Sequence, residues 1–195
     1  MKPRLPPGQH LIRNKDKFPV LQKGEIPHIK RDSYELKITG EVKNPIKLSL
    51  NDLKRLLDSE TIVDIHCVTS WSKFDTEWKG ISFKKLFNIV KPKESARFIE
   101  FRCADGGFTT TIPISKLLED NCLLALEYEG KPLTDEHGGP LRAIIPHLYF
   151  YKSAKWIIEI NFLKEDRLGY WERAGYSNKA DPWKEQRYRQ DNERE

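Results

Sequence analysis

Three stretches of this chain hold residue types that can do chemistry. The first is Ile65-His66-Cys67-Val68-Thr69-Ser70-Trp71. Residues 60–68 alternate, with Val63, Ile65 and Cys67 on one face and Ile62, Asp64 and His66 on the other, so Cys67 falls where a strand stops and a loop begins. A group at a strand end is held rigidly while the loop beyond it opens onto a pocket. A nucleophilic thiol needs an activating base, and alternation turns His66 away from Cys67. A thiolate on a soft metal needs none, because the metal keeps the sulfur deprotonated. The competing reading is a small buried apolar residue.

The second stretch is His137-Gly138-Gly139-Pro140-Leu141-Arg142, followed by Ser153-Ala154-Lys155. Paired glycines let backbone approach a ligand closely. Arg142 offers a fork that matches phosphate, Lys155 adds a point charge, and His137 can donate to a ring carbonyl or a phosphate. The plainer alternative is a glycine turn with surface bases. The third stretch is the tail, in which Trp171, Tyr176, Trp183 and Tyr188 punctuate a charged segment. Those rings are expected to clamp the tail onto the body, a structural role.

The elements that position these groups are short. Residues 34–42 alternate as a half-buried strand, Ser49 with Asp52 forms a capping box for a short helix, and residues 60–68 give a second strand. Residues 70–80 carry Trp71, Phe74 and Trp78 without a clean period and are expected to form a loop. Ser82 caps a helix to about Val90. Residues 97–103 and 108–112 flank Asp105-Gly106-Gly107 as a hairpin, and Pro113 opens a short helix. A strand spans 123–128, a long structured loop 131–147, and a last alternating strand 156–162. Many short strands and few short helices imply a mixed, β-rich α+β fold rather than a doubly wound parallel sheet.

With 195 residues, 38% hydrophobic and 32% charged, the expectation is one globular domain over 1–195. Residues 1–31 would be an extended basic arm and 164–195 a charged wrapping tail. The arm holds eight bases against two acids, while the tail balances eight of each. The arm's one aromatic, Phe18, offers little for bases to stack on, so nucleic acid is an unfavoured partner. No apolar run reaches the roughly 18–20 residues that span a bilayer, and the basic start has no apolar run behind it, which makes the cytoplasm the default location. Cys67, Cys103 and Cys122 are odd in number and form no CxxC, so neither a disulfide framework nor a cysteine zinc site is expected.

Taken together, from about Leu11 to Tyr188, these segments resemble the molybdopterin domain of the sulfite oxidase family. Residues 64–71 look like its strand-end cysteine, Trp78-Lys79-Gly80-Ile81 like its tryptophan–glycine step, and His137 to Arg142 with Pro146 and Ser153-Ala154-Lys155 like its pterin-holding region. The resemblance implies a β-rich, sulfite-oxidase-type molybdopterin-binding fold with a mononuclear molybdenum–molybdopterin cofactor. Cys67 would be the metal ligand and catalytic centre. His137, Arg142, Ser153, Ala154 and Lys155 would hold the pterin and its phosphate, helped by Arg13, Asn14 and Phe18 of the arm. Cys103 and Asp105 both fall near the family's pterin-contacting position after the third strand. Phe108, Thr69, Trp71 and Arg31 are expected along the substrate approach.

Three positions depart from the pattern. Phe108 stands where sulfite oxidases have an oxyanion-binding tyrosine, Thr69 where methionine-sulfoxide reductases have a carboxylate, and Lys15 where sulfite oxidases have a histidine. The implied activity is two-electron oxygen-atom transfer on a small substrate. No cytochrome or flavin motif is visible, so electrons would pass through a separate partner. Alternatives are a non-catalytic cofactor- or anion-binding domain and, remotely, a hydrolase with Cys67 as nucleophile and His137 or His147 as base.

Overall fold

The computed structural model describes residues 4–14 and 16–193. Two sheets stack around a common core. One contains β1 (His10–Leu11), β4 (Ser59–His66), β5 (Trp71–Ser82), β8 (Leu123–Tyr128), β9 (Lys131–Pro132) and β10 (Arg142–Ile144); the other contains β2 (Glu35–Gly40), β3 (Ile46–Ser49), β6 (Phe98–Cys103), β7 (Thr109–Pro113) and β11 (Ile157–Leu163). Pairing is antiparallel except for β1 on β5 and β11 on β2. Four helices, α1 (Leu50–Arg55), α2 (Phe83–Val90), α3 (Ile114–Leu117) and α4 (Tyr170–Arg173), are short connectors. The fold is the mixed, β-rich α+β arrangement that the pattern predicts.

Local signals explain most of the elements. Ser49 accepts from the Asp52 amide while Asp52 accepts from the Ser49 amide, closing the capping box of α1. Ser82 caps α2, which buries Phe83, Leu86 and Val90. The hairpin of β6 and β7 registers Phe101 against Thr110.

The segment 70–80 differs from the expected loop: it is most of β5, the longest strand described. Its period is broken where Asp75 takes a positive φ of 55° and the register against β4 shifts between Val63 and Ile65. Such a bulge moves side chains to the other face and hides the alternation. The loop 131–147 likewise contains β9 and β10. Buried Lys152 fastens the tail: its ammonium meets Glu172 Oε1 at 2.5 Å, the Thr111 carbonyl at 3.2 Å and Asn178 Oδ1 at 3.1 Å. No helix among the described residues is long and apolar enough to cross a membrane.

Candidate functional site

Cys67 follows the last residue of β4 and begins the turn into β5. Its amide donates to the Trp71 carbonyl at 2.8 Å, and the Ser70 amide returns to the Cys67 carbonyl at 3.1 Å, with Ser70 at φ 73°. The thiol, though only 7% exposed, lines a cavity of about 300 Å³. Its hydrogen-bond partner is Thr69 Oγ1 at 3.1 Å. Burial pushes the thiol pKa up, and the Thr69 hydroxyl and the more distant Arg187 charge pull it back. His66 points the other way, as alternation requires. It meets Ser72 Oγ at 2.8 Å and the edge of Trp183, and lines a second, open depression.

The glycine-rich stretch supplies the opposite wall. Gly138 takes φ +96°, and a Cβ there would stand 2.8 Å from Cβ and Cγ of Lys155, so the residue's bareness lets the lysine stem pass. His137 stacks on Phe18 of the arm, centroids 4.3 Å apart and planes at 18°. Burial, and then the charges of Arg142 and Lys155, lower its pKa to about 4, leaving a neutral imidazole. Lys155 Nζ donates to the carbonyls of Leu21 (3.1 Å) and Glu136 (3.2 Å), and burial beside Arg142 lowers it to about 7.

Arg142 is the most telling group. It is 2% exposed, yet no carboxylate among the described residues lies within ion-pair distance. Its donors go to the carbonyls of His137 at 2.9 Å and Ser153 at 3.1 Å, and its plane lies over the rings of Phe150 and Trp78. Burial alone pulls its pKa down to about 9. A buried, unpaired cation with a second cation beside it is costly unless an anion arrives. Trp71, on the same cavity, has its indole N–H buried with no acceptor among the described residues. The donor set therefore suits an anionic ligand with ring acceptors, and a soft thiol waits beside it.

The structure brings Cys67, Phe18, Asp105, His137, Arg142, Ser153, Ala154 and Lys155 to this one cavity, together with Phe108, Thr69 and Trp71. Others of the expected set lie elsewhere. Cys103 packs into the main apolar core and does not line the cavity, because β6 turns its side chain inward while Asp105, in the turn, reaches out. Arg13 and Asn14 are exposed, and Asn14 Oδ1 is occupied by the Asp16 amide. Arg31 donates to the Leu133 carbonyl instead of entering the substrate approach. Lys15 lies outside the described residues. His147 faces Cys122 at 3.7 Å on the second depression, so it offers Cys67 no base.

Two tail residues expected to be anchors only, Trp171 and Tyr176, also line the cavity. Their rings are 5.3 Å apart, and Tyr176 packs further on Tyr151 and Tyr188, each at 5.6 Å. The Tyr151 hydroxyl donates to the Ser177 carbonyl. Arg187 ties the tail to both other parts, through Nη1 to the Val68 carbonyl at 2.5 Å and Nη2 to the Gly8 carbonyl at 3.2 Å. Nothing in their spacing marks them as cavity residues; only the tail's return over the Cys67 turn reveals it.

Residues 23–171 match the oxidoreductase molybdopterin binding domain family. The chain is 41% identical over 186 residues to the uncharacterized oxidoreductase YuiH of Bacillus subtilis, covering 95% of this chain and 92% of that one. It is 27% identical over 156 residues to the protein-methionine-sulfoxide reductase catalytic subunit MsrP of Campylobacter jejuni, covering 72% of this chain and 52% of that one, so it spans about half the length of that relative. The sulfane dehydrogenase SoxCD of Paracoccus pantotrophus shares the fold, with a TM-score of 0.67 at 20% identity over 78% of this chain and 43% of that one. The chain belongs to the sulfite-oxidase-type, molybdopterin-binding oxidoreductases.

Proposed function

We propose that the chain transfers one oxygen atom, with two electrons, to or from a small substrate, in the manner the sequence resemblance implies. Cys67 is the thiolate that would hold the molybdenum. Arg142 and Lys155 would neutralise the phosphate of the pterin, His137 and Trp71 would offer N–H groups to its acceptors, and Ser153, Ala154 and Asp105 would complete the cradle. The cofactor, when bound, supplies the two-electron redox chemistry. The chain's own residues supply position and charge. Phe18 covers the imidazole of His137 and keeps water from that face. Once Cys67 is a thiolate, the Thr69 hydroxyl 3.1 Å from its sulfur can only donate to it and, by withdrawing electron density, would tune it as a ligand. The observation that carries the reading is the buried Arg142, with no carboxylate among the described residues at ion-pair distance, on the same cavity as the Cys67 thiol.

The methionine-sulfoxide reductase relative makes an organic S-oxide a reasonable substrate to try. Phe108, which carries no donor, gives a sulfite oxyanion nothing to bind at its position. Electrons would come from or go to a separate carrier.

The test is expression in cells that make the cofactor, followed by elemental analysis and assay with dimethyl sulfoxide, methionine sulfoxide and sulfite. About one molybdenum per chain and turnover of one of these are expected. Cys67→Ser should keep the pterin through the His137–Lys155 wall and lose turnover. Wild-type protein without molybdenum would instead make this a binding domain, and an active Cys67→Ser would remove the ligand role.

A further inference from the structure

Resting on the reading that Cys67 is the metal ligand, a set of contacts behind the cavity bears on how its sulfur is aimed. Gln9 stands one residue before β1 and is half-buried against the Cys67 turn. Its Nε2 donates to the Cys67 carbonyl at 3.0 Å, and its Oε1 accepts from Ser72 Oγ at 3.2 Å. Ser72 Oγ is in turn 2.8 Å from His66 Nδ1. Ser72 is 0% exposed and His66 4%, so these links are shielded from bulk water.

The chain of bonds can run in one direction only. A carbonyl accepts and never donates, so the Gln9 amide must turn its NH₂ group to Cys67 and its oxygen to Ser72. The Ser72 hydroxyl spends its proton on that oxygen and must accept from His66, which therefore carries its proton on Nδ1. Every donor from His66 onward points toward the carbonyl of the residue that presents the sulfur.

The other bonds of the Cys67 backbone are internal to its turn: its amide donates to the Trp71 carbonyl, and its carbonyl also accepts from the Ser70 amide. Arg187 reaches the next carbonyl, that of Val68. Gln9 is thus the side chain from outside the turn that holds the Cys67 peptide among the described residues. It is not needed to dock the arm. The His10 amide donates to the Ser70 carbonyl and the Ile12 amide to the Ser72 carbonyl, each at 2.9 Å.

We propose that Gln9 is a positioning residue. Through the Cys67 carbonyl it fixes the peptide plane behind the sulfur, and so the angle at which the thiolate meets the molybdenum. Ser72 and His66 lock Gln9 in its donating orientation. His66, which alternation removes from the cavity, acts on it through this route.

Gln9→Met keeps the length of the side chain and removes both its donor and its acceptor. In the metal-free protein, alkylation of Cys67 by iodoacetamide, followed by peptide mass mapping, should run about 5- to 10-fold faster than in wild type, the worth of one hydrogen bond lost from the turn. In the molybdenum-loaded protein, melting temperature should stay as in wild type while the thiolate-to-molybdenum absorption band, measured per bound metal, shifts. With dimethyl sulfoxide, kcat should fall about tenfold at a KM within about threefold. Ser72→Ala should shift the band the same way by less, and the double variant no further than Gln9→Met alone, because both act through one bond. His10→Gln, exposed on the same arm, should match wild type. A band at the wild-type position in Gln9→Met, or unaltered alkylation, overturns the role of Gln9; additive band shifts would remove Ser72 and His66 from it. Loaded wild-type enzyme that turns over no oxygen donor would sink oxygen transfer alone, since the alkylation rate and the band need no turnover. Wild-type protein that binds no molybdenum would take the ligand reading, and this role with it.

Discussion

Arg142 and Lys152 are both buried cations from neighbouring parts of the chain, and they are treated in opposite ways. Lys152 is 0% exposed and meets the carboxylate of Glu172, itself 1% exposed, which also accepts from Thr110 Oγ1 at 2.6 Å. Arg142 is 2% exposed and meets only carbonyls and ring faces. The first charge is compensated from within and holds the tail on β7. The second lacks compensation and lies on the cavity wall. A buried charge that the fold satisfies fastens structure; one that it leaves open waits for a ligand.

The comparison breaks most visibly at Glu172. Glu172→Gln leaves the Lys152 ammonium buried without a counter-charge and should destabilise the chain by about 3–5 kcal/mol, read as the shift in urea denaturation. A joint change of Lys152→Met and Glu172→Leu should recover most of that loss, because removing both partners abolishes the uncompensated charge.

Arg142→Met should move the ligand-free protein far less, by no more than about 1–2 kcal/mol, since the lost hydrogen bonds are offset by the charge that leaves with them. Pterin retained through purification should nonetheless drop by about tenfold or more. Equal destabilisation by Arg142→Met and Glu172→Gln would erase the distinction.

The smallest effect concerns Lys155, whose pKa is lowered from its ordinary 10.5 to about 7 in the ligand-free protein. Between those values the unfolded chain holds a proton that the native one lacks, so this group makes stability rise with pH from about 7 toward 10. The slope should be missing from Lys155→Met and flatter when inorganic pyrophosphate is present, because an anion favours the charged lysine. Denaturation midpoints at several pH values, compared between the two proteins, check both points.

Much of this was readable from residue order. Cys67 at a strand end, His66 turned away from it and the Ser49–Asp52 capping box follow from alternation and spacing. The wall from His137 to Lys155 follows from glycines next to cations. What stayed hidden has physical causes. The bulge at Asp75 erased the period of β5. Cys103 and Asp105 were indistinguishable as neighbours until the strand end sent one inward and the other out. Trp171 and Tyr176 look like anchors in sequence because their second role depends on a fold-back of the tail over a turn more than 100 residues earlier. Arg31 shows the converse, a cation whose carbonyl partner at Leu133 no spacing could reveal.

Arg187 is a cross-tie. One guanidinium binds the carbonyl of Val68, next to Cys67, and the carbonyl of Gly8, so the basic arm and the C-terminal tail are lashed to a single turn. Fraying normally begins at chain ends and dies away toward the sheets. Through this tie, loosening of the arm or the tail is expected to reach the turn that presents the sulfur. Amide hydrogen exchange at Val68 to Ser70 should therefore keep time with the two termini, and not with the adjoining strands that flank the turn.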